Sequence, residues 1–315
     1  MRIAKTILLL AAAFWLTACD GGDDDFVAPA FLHIESIKVV PPASNVITSD
    51  SGFYRSEIVS CNVTLRYPDS RELVTLGHFD LPFTVPLLHD GPIREIQVYP
   101  CVKQSGNSRT QPFYTFYNAI TLNKHSFRMG GVDYSDTLFS RSGDTLDLGP
   151  LTTTYNITRA NVLMFEPFEP TQGSLFLDSV VWHRHAAGDA CSGEGYASVH
   201  VPDSLSRVPF YINRDFYVND PTKIIYVELD HRSDIPFELY MHSSQDSNAT
   251  VNQRGVMVIN PSQKWQHMYI NLGRTWNWFA HYPHFKLSFA ALNAKGQEGE
   301  VRIDNIKVIT TNVVL

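Results

Sequence analysis

The sequence predicts an all-β protein made of two β-sandwich domains in succession. In most of the patterned segments, apolar and polar residues alternate with a period of two, or β-branched residues form short runs. Clusters of Asp, Gly, Asn and Ser separate these segments, and no amphipathic helix of useful length is present. The chain of 315 residues is 44% hydrophobic, which is enough for two cores.

The strand candidates fall into two groups. Those of the first half are His33–Val40, Glu57–Tyr67, Leu73–Phe79, Ile93–Lys103 and Tyr114–Leu122. Those of the second half are Ser174–Trp182, Ala197–Val201, Ile224–Leu229, Ile235–Met241, Gly255–Asn260, Trp265–Leu272, Phe285–Leu292 and Glu300–Ile309. The segment Leu148–Asn161 lacks a core pattern, so we expect one domain over residues 31–150 and another over residues 160–315.

The N-terminal residues have the features of a secretory signal. Arg2 and Lys5 precede the apolar run Ile7–Leu16, which is too short for a membrane-spanning helix. The quartet Leu16–Cys19 resembles the bacterial lipobox, which implies removal of residues 1–18 and anchoring in outer-membrane lipid through a lipidated Cys19. An ordinary signal followed by an incidental cysteine is the alternative.

Residues 19–30 are expected to form a flexible acidic tether. Asp20 and Asp23–Asp25, together with two glycines, cannot pack into a core. This run resembles the acidic export signal of Bacteroidota lipoproteins, which implies display at the cell surface. Asp20 alone also resembles an inner-membrane retention signal of enteric bacteria, and a merely flexible linker is a further alternative.

The charge balance excludes one class of partner. The chain has 25 Lys and Arg against 32 Asp and Glu. Removal of residues 1–18 takes away Arg2 and Lys5, leaving 23 against 32, a formal charge of −9. Because no basic run or stripe exists, a nucleic-acid partner is not expected.

The cysteines allow one disulfide bridge. With Cys19 lipidated, Cys61 and Cys101 are the natural pair in an oxidising compartment, and their bridge would contribute about 3–4 kcal/mol. Cys61 shares a strand face with Val63, whereas Cys101 is out of phase with Val98, so two separate buried thiols are the alternative. Cys191 has no evident partner and is expected to be a small buried residue.

The first domain contains an expected hairpin. In Phe79–Lys103 an apolar strand, an Asp-Gly-Pro turn and a returning strand follow one another. The pattern resembles the immunoglobulin-like, PEGA-like modules of Bacteroidota lipoproteins, which implies a spacer or docking role. The resemblance depends on Leu81, Pro82, Pro86, Leu88, Gly91 and Pro112-Phe113-Tyr114.

The second domain resembles a galactose-binding-like jelly roll, the architecture of many carbohydrate-binding modules. Four segments carry the resemblance in order, namely residues 192–201, 224–241, 265–273 and 299–309. In the last segment, Val301 and Ile303 have one phase and Ile306 and Val308 the other. The sequence therefore predicts a β-bulge at Asp304-Asn305.

One strand of this domain presents a candidate ligand platform. In Trp265–Leu272, the residues Met268, Ile270 and Leu272 form the core face, so Trp265, His267 and Tyr269 point the other way. The following loop adds Trp276 and Trp278. Clustered exposed aromatic residues indicate an interface with a glycan or a protein, and domain packing is the alternative.

Two groups of residues could bind a metal, and each has an alternative without one. His183 and His185 share a strand face and could bind a metal with Asp189 or Cys191, although a polar loop is the alternative. The jelly-roll resemblance implies a possible structural calcium at Asp304, with Glu166 or Glu169 as further oxygen ligands. No other cofactor is expected.

Catalysis is not expected. Nucleophile, zinc-protease and phosphate-loop motifs are absent. Glu228 and Asp230 alternate with Val227 and Leu229, so we expect both carboxylates to face solvent with ordinary pKa values.

Four Asp-Ser/Thr-aliphatic triplets resemble the O-glycosylation acceptor pattern of Bacteroidota. The implied acceptors are Thr137, Thr145, Ser179 and Ser204.

Together these features predict a non-catalytic, lipid-anchored outer-membrane lipoprotein at the cell surface. Its main expected role is as an accessory or scaffold subunit of an outer-membrane protein complex. The alternatives are a glycan-binding surface protein and, less favoured, a secreted hydrolase. A glycan site would leave the platform rings exposed in a groove, whereas a scaffold would bury them in a flat contact.

Overall fold

The structure, a computed structural model, describes residues 28–43, 48–68, 70–87, 92–123, 128–129, 132–133, 143–156, 158–169, 183–186, 189–246, 251–293, 296 and 298–312. The expected signal peptide, Cys19 and residues 19–27 of the expected tether lie outside the described residues, as do Thr137, Ser179 and the turn at Gly91. Ala30, the last residue of the expected tether, is buried in the first strand of the first domain. Within the described ranges, no helix combines the length and hydrophobicity needed to cross a membrane.

The first domain is a sandwich of β-strands. Its strands are β1 (Ala30–Ile34), β2 (Ser36–Val39), β3 (Ser60–Arg66), β4 (Val74–Asp80), β5 (Phe83–Leu87), β6 (Glu95–Cys101), β7 (Ile120–Asn123), β8 (Arg128–Met129), β9 (Val132–Asp133), β10 (Thr145–Asp147) and β11 (Pro150–Thr153). A 3-10 helix, Ser51–Tyr54, follows β2.

Two layers enclose the core of this domain. One sheet has the order β4-β3-β6-β7, and β10-β1-β5 with β11-β2 forms the opposite layer. Strands β10 and β11 run parallel to β1 and β2. Leu32 and Ile34 from one layer share a hydrophobic core with Val63 and Ile96 from the other. These residues alternate with more exposed ones, which is why each strand buries a single face.

The second domain follows with β12 (Ala160–Glu166), β13 (His183–Ala186), β14 (Gly195–Val201), β15 (Arg207–Tyr211), β16 (Phe216–Tyr217), β17 (Ile225–Ser233), β18 (Phe237–Ser244), β19 (Asn252–Ile259), β20 (Ser262–Asn271), β21 (His284–Leu292) and β22 (Gly299–Thr311). The helix α1, Gly273–Trp278, lies between β20 and β21.

Two antiparallel sheets face each other in this domain. The six-stranded sheet has the order β13-β14-β22-β17-β20, with β12 also paired to β22. The five-stranded sheet has the order β15-β21-β18-β19, with β16 also paired to β21. Val227 and Ile303 from the first sheet pack in one core with Phe237 and Phe289 from the second. The predicted all-β sandwich fold is confirmed.

The predicted bulge at Asp304-Asn305 is confirmed. Strand β17 pairs Glu228 with Lys307 but Asp230 with Asp304, so β22 contains one extra residue at this point. Asn305 has φ of 51°, in the left-handed region that asparagine tolerates better than most residues. The bulge explains why the apolar phase of β22 changes.

The expected hairpin between the strands around Pro86 and Val98 is wrong. Strand β5 pairs with β1, whereas β6 lies between β3 and β7 in the other sheet. Because both edges of β6 are occupied, β5 cannot pair with it. Strands β5 and β6 therefore lie in opposite layers of the sandwich.

The structure does not show the expected disulfide, because Cys61 and Cys101 are both free, buried thiols. The register pairs Cys61 with Pro100 and Cys101 with Ser60 on adjacent strands. Side chains of successive residues point to opposite faces of a sheet, so the two thiols face away from each other. The bridge stays a prediction.

The domain boundaries also stay predictions. Strand β11 ends at Thr153 in the first group of sheets, and β12 begins at Ala160 in the second.

Candidate functional site

The expected platform on β20 lies partly beneath the first domain. His267 is 6% exposed and Tyr269 is 1% exposed. Trp265 is half-buried, and its indole Nε1 donates a hydrogen bond to the Asp189 carbonyl oxygen at 3.0 Å. Their row is therefore not the open platform that the sequence suggested, and its environment corresponds to the packing alternative.

The two tryptophans that follow β20 differ in their exposure to solvent. Trp276, in α1, is 1% exposed and belongs to the core of the second domain. Trp278 is 65% exposed, and the Arg254 guanidinium lies 3.8 Å from its ring centroid. Arg254 therefore covers part of the one exposed ring of this pair by a cation–π contact.

Tyrosines of the first domain cover the β20 row. The ring of Tyr114 meets that of Tyr269 edge-on at 4.9 Å, and the Tyr117 hydroxyl lies 2.9 Å from the Tyr269 hydroxyl. The backbone N–H of Glu57 also donates to the Tyr269 hydroxyl at 3.0 Å. Edge-on aromatic pairs of this kind add roughly 0.5–1.5 kcal/mol each beyond the buried area.

A buried ionic network lies in the same interface. Strand register places Lys307, Glu228 and Tyr269 in one row across the six-stranded sheet. The Lys307 Nζ lies 2.6 Å from Glu228 Oε2, and both side chains are fully buried. Lys307 also donates to the Phe53 carbonyl oxygen and to the Tyr155 hydroxyl, each at 2.7 Å. Residues of both domains therefore complete its hydrogen bonding.

The next row continues the network through a buried histidine. His267 Nδ1 lies 3.1 Å from Asp230 Oδ1, and its Nε2 lies 3.4 Å from Glu228 Oε2. Burial acts to lower the pKa of His267, but the carboxylate of Asp230 and that of Glu228 raise it overall. Burial acts to raise the pKa of Glu228, but Lys307 and His267 lower it to about 2. The network therefore holds charged groups of both signs out of water.

The expectation that Glu228 and Asp230 face solvent is wrong, because both are 0% exposed. Alternation correctly placed them opposite the core of their own sandwich. That opposite face, however, is covered by the first domain, and Arg55 of that domain approaches Asp230 at 3.7 Å. Their carboxylates are thus part of a domain interface and are not open to a substrate.

Asp304, the calcium candidate, already has hydrogen-bond donors on both oxygens. Its Oδ1 accepts from the N–H of Asn305 at 2.8 Å, and its Oδ2 from those of Cys191 and Ser192 at 3.2 and 3.3 Å. Burial and the nearby carboxylate of Asp230 raise the pKa of Asp304 to about 8. Among the described residues, no group of three or more His, Cys, Asp or Glu side chains is arranged to hold a metal. Structural calcium stays a prediction.

The other suggested ligands have different partners. Glu166 Oε1 accepts from the Phe168 N–H at 2.9 Å, and the Glu169 carboxylate accepts from the Glu194 N–H. Asp189 pairs with Arg232 and Arg302, each at 2.7 Å. Cys191 is a half-buried free thiol, and the structure describes His183 and His185 only as backbone in β13.

Both described glycosylation candidates are accessible. Thr145 in β10 and Ser204 in the turn after β14 are exposed, while Thr137 and Ser179 lie outside the described residues. Their modification stays a prediction.

An open aromatic surface lies elsewhere, on the outer side of the five-stranded sheet. We call it the tyrosine face, and its members are Tyr211, Tyr217, Tyr240, His242, His284, Glu238, Gln253, Arg207, Lys286 and Ser288. Tyr211 is 48% exposed and Tyr217 is 58% exposed. Rings and hydrogen-bonding groups therefore alternate on one solvent-facing surface.

Register and polar contacts fix the geometry of this face. Tyr211 and Tyr240 both pair with Ser288, one from each side, so the two tyrosines lie about 9–10 Å apart, two strand spacings. His242 Nε2 lies 2.6 Å from the Ser288 hydroxyl, and the Tyr211 and His242 rings lie 6.2 Å apart. The Tyr240 hydroxyl donates to Glu238, and the Arg207 guanidinium lies 5.0 Å from the Tyr240 ring centroid. These contacts hold the side chains in place and partly cover Tyr240, while Tyr211 and Tyr217 stay well exposed.

The tyrosine face is not among the sites predicted from the sequence. The sequence does contain a signal for it, because Val208, Phe210 and Ile212 alternate with Arg207 and Tyr211. Strand β15 was not among the predicted strands, so its exposed residues were not considered.

Comparisons with known proteins give similarities to solved structures only. No protein-family model matches the chain, and no curated protein matches it. The family 30 carbohydrate-binding module of a cellulosomal cellulase from Clostridium thermocellum is 12% identical, with 46% of this chain and 97% of that chain covered and a TM-score of 0.35. A family 29 carbohydrate-binding module in complex with mannohexaose is 14% identical, covering 48% and 90% of the two chains, with a TM-score of 0.31. An endo-1,4-β-D-xylanase from Clostridium thermocellum, containing a family 22 module, is 13% identical, covering 48% and 29%, with a TM-score of 0.35.

Proposed function

We propose that this chain is a non-catalytic carbohydrate-binding protein that holds a glycan on its tyrosine face. The observation that carries the proposal is the combination of two well-exposed rings, Tyr211 and Tyr217, with polar side chains on a single sheet surface. A sugar presents apolar C–H patches as well as hydroxyls, so it needs both aromatic surface and hydrogen-bonding groups.

The arrangement suits an extended ligand better than a small one. Tyr211 and Tyr240 belong to one row of the sheet, and Tyr217 lies toward one end, opposite His284. Lys286 and Gln253 belong to the row between these rings, and Glu238 flanks Tyr240 on the side away from Tyr217. A glycan lying across the strands would contact rings at separate points and exchange hydrogen bonds with water for hydrogen bonds with these groups.

The buried ionic network supports the non-catalytic part of the proposal. Glu228 and Asp230 are fully enclosed by the first domain, so this carboxylate pair cannot flank a glycosidic bond. Anchoring through Cys19 at the outer membrane would place the tyrosine face where extracellular glycans are encountered.

The decisive experiment is glycan-array screening of the mature chain, followed by calorimetry with the best hit. Replacing Tyr211 by Ala should weaken binding about tenfold, which corresponds to about 1.4 kcal/mol. Trp278→Ala is the matched control, since that ring is also exposed but lies outside the tyrosine face. If Trp278→Ala lost glycan binding and Tyr211→Ala kept it, the glycan site would lie outside the tyrosine face and the proposal would be wrong.

A second candidate function is a scaffold subunit of an outer-membrane complex. The interface between the two domains favours it, because Lys307, Tyr269 and Glu228 each have hydrogen-bond partners in the first domain. Such an interface fixes the relative orientation of two surfaces, as a scaffold requires. Affinity purification from detergent-solubilised membranes tests this role, and recovery of no membrane protein would count against it.

A further inference from the structure

A pocket of about 410 Å³ lies at the junction of the two domains. Its volume lies within the range of small-molecule sites, which occur preferentially at domain interfaces. We call it the junction pocket. Among the described residues it is lined by Pro112, Phe113, Thr115, Pro221, Thr222, Lys223, Ile224, Tyr226, Asn271, Gly273, Trp276 and Asn277. It shares no residue with the tyrosine face.

Aromatic side chains from both domains form the apolar walls. Phe113 of the first domain is half-buried, whereas Tyr226 and Trp276 of the second domain are 5% and 1% exposed and contribute little accessible surface. The Trp276 indole donates to the Tyr282 carbonyl oxygen at 3.1 Å, and the Tyr226 ring meets that of Tyr114 edge-on at 5.1 Å. Two of the three walls are therefore fixed before any ligand arrives, which lowers the entropy cost of binding.

The polar groups are also held in place. The Asn271 amide donates to the Tyr226 hydroxyl at 3.2 Å, while its oxygen accepts from the Gly273 N–H at 2.8 Å. Thr115, Thr222 and Asn277 add further donors and acceptors. The junction pocket thus combines one accessible aromatic ring, that of Phe113, with groups suited to hydroxyls.

Lys223 is the one charged side chain among these lining residues. Its Nζ donates to the Asn312 carbonyl oxygen at 2.7 Å, which leaves two N–H groups for a ligand. The nearby Asp220 carboxylate accepts hydrogen bonds from the backbone N–H and the hydroxyl of Thr222. No ion pair of Lys223 with a carboxylate is present among the described residues, so its charge is available to an anion.

We propose that the junction pocket binds a uronic-acid residue of an acidic glycan. The sugar ring packs against Phe113, its hydroxyls bond to the amides, and its carboxylate accepts charge-assisted hydrogen bonds from Lys223. This site does not depend on the proposed role of the tyrosine face, because different residues form it.

Calorimetric titration of the mature chain with trigalacturonate tests the proposal. The fully methyl-esterified trisaccharide, which has no charge, and acetate, which has no sugar ring, serve as reference ligands. The wild-type protein should bind trigalacturonate about tenfold more tightly than the ester and should not measurably bind acetate. Lys223→Gln should remove the difference between acid and ester.

A matched variant keeps the result interpretable. Lys264→Gln alters an exposed lysine in β20 outside the pocket and should leave both affinities unchanged. Three results would each overturn the proposal. They are an absence of trigalacturonate binding, an equal effect of Lys223→Gln on the affinities for acid and ester, and binding of acetate as tight as that of trigalacturonate.

Discussion

Replacing Lys307 by Met should destabilise the protein strongly, because it removes the nearest counter-ion of a buried carboxylate. Lys307 Nζ lies 2.6 Å from Glu228 Oε2, and neither side chain is exposed to solvent. Removing one partner of a buried ion pair costs about 3–5 kcal/mol. The carbonyl oxygen of Phe53, which accepts from Lys307 at 2.7 Å, also loses its charged donor. We therefore expect the free energy of unfolding to fall by about 3–5 kcal/mol.

The assay is urea unfolding of the mature chain, monitored by tryptophan fluorescence, with wild type and variant compared under the same conditions. The double variant Glu228→Gln/Lys307→Met should recover much of the loss, since it removes the isolated charge as well. Lys264→Met, at an exposed position of the same sheet, should change stability by less than about 0.5 kcal/mol. A loss below about 1 kcal/mol in Lys307→Met would refute the reasoning, because it would mean that water reaches Glu228.

Two further predictions concern pH and packing. Burial lowers the pKa of His231 to about 4, from 6.5 in the unfolded chain, so the unfolded state binds more protons between these values and acid destabilises the fold. Between pH 7 and pH 5 the free energy of unfolding of the wild type should fall by about 2 kcal/mol more than that of His231→Gln. Urea titration at the two pH values measures both losses, and equal losses would contradict the prediction. Gly52→Ala should destabilise the domain interface by about 1–3 kcal/mol, because the added methyl group would clash with the side chains of Asn305 and Ser192. Ser51→Ala, at the exposed neighbouring position, is its control in thermal unfolding, and equal melting temperatures of the two variants would count against the clash.

Local sequence patterns predicted many of the strands and their core faces, although not β15 and β16. Alternation predicted that Met268, Ile270 and Leu272 point into the core, and all three are buried. The change of phase at Asp304-Asn305 likewise predicted the bulge, since period-two alternation breaks wherever a strand gains a residue.

Contacts between distant parts of the chain were not predictable in this way. The hydroxyl of Tyr269 accepts from Glu57, which is 212 positions away, and this contact converts a surface row into an interface. A strand that is polar on one face looks the same in sequence whether water or another domain covers that face. The tyrosine face was missed for a different reason, because β15 and β16 are short and one of them contains Pro209.

The parallel alignment of β1 and β2 with β10 and β11 has a mechanical consequence. The chain enters the first domain next to Ala30 and leaves it after Thr153, at opposite ends of this ladder of paired strands. A pulling force between the N-terminal side and the second domain would therefore act along the strands and load the inter-strand hydrogen bonds in shear. Bonds loaded in shear share the force and must break together, whereas bonds pulled open at one end break one after another. We therefore expect the first domain to resist a force applied in this direction better than one that peels β1 and β2 away from one end.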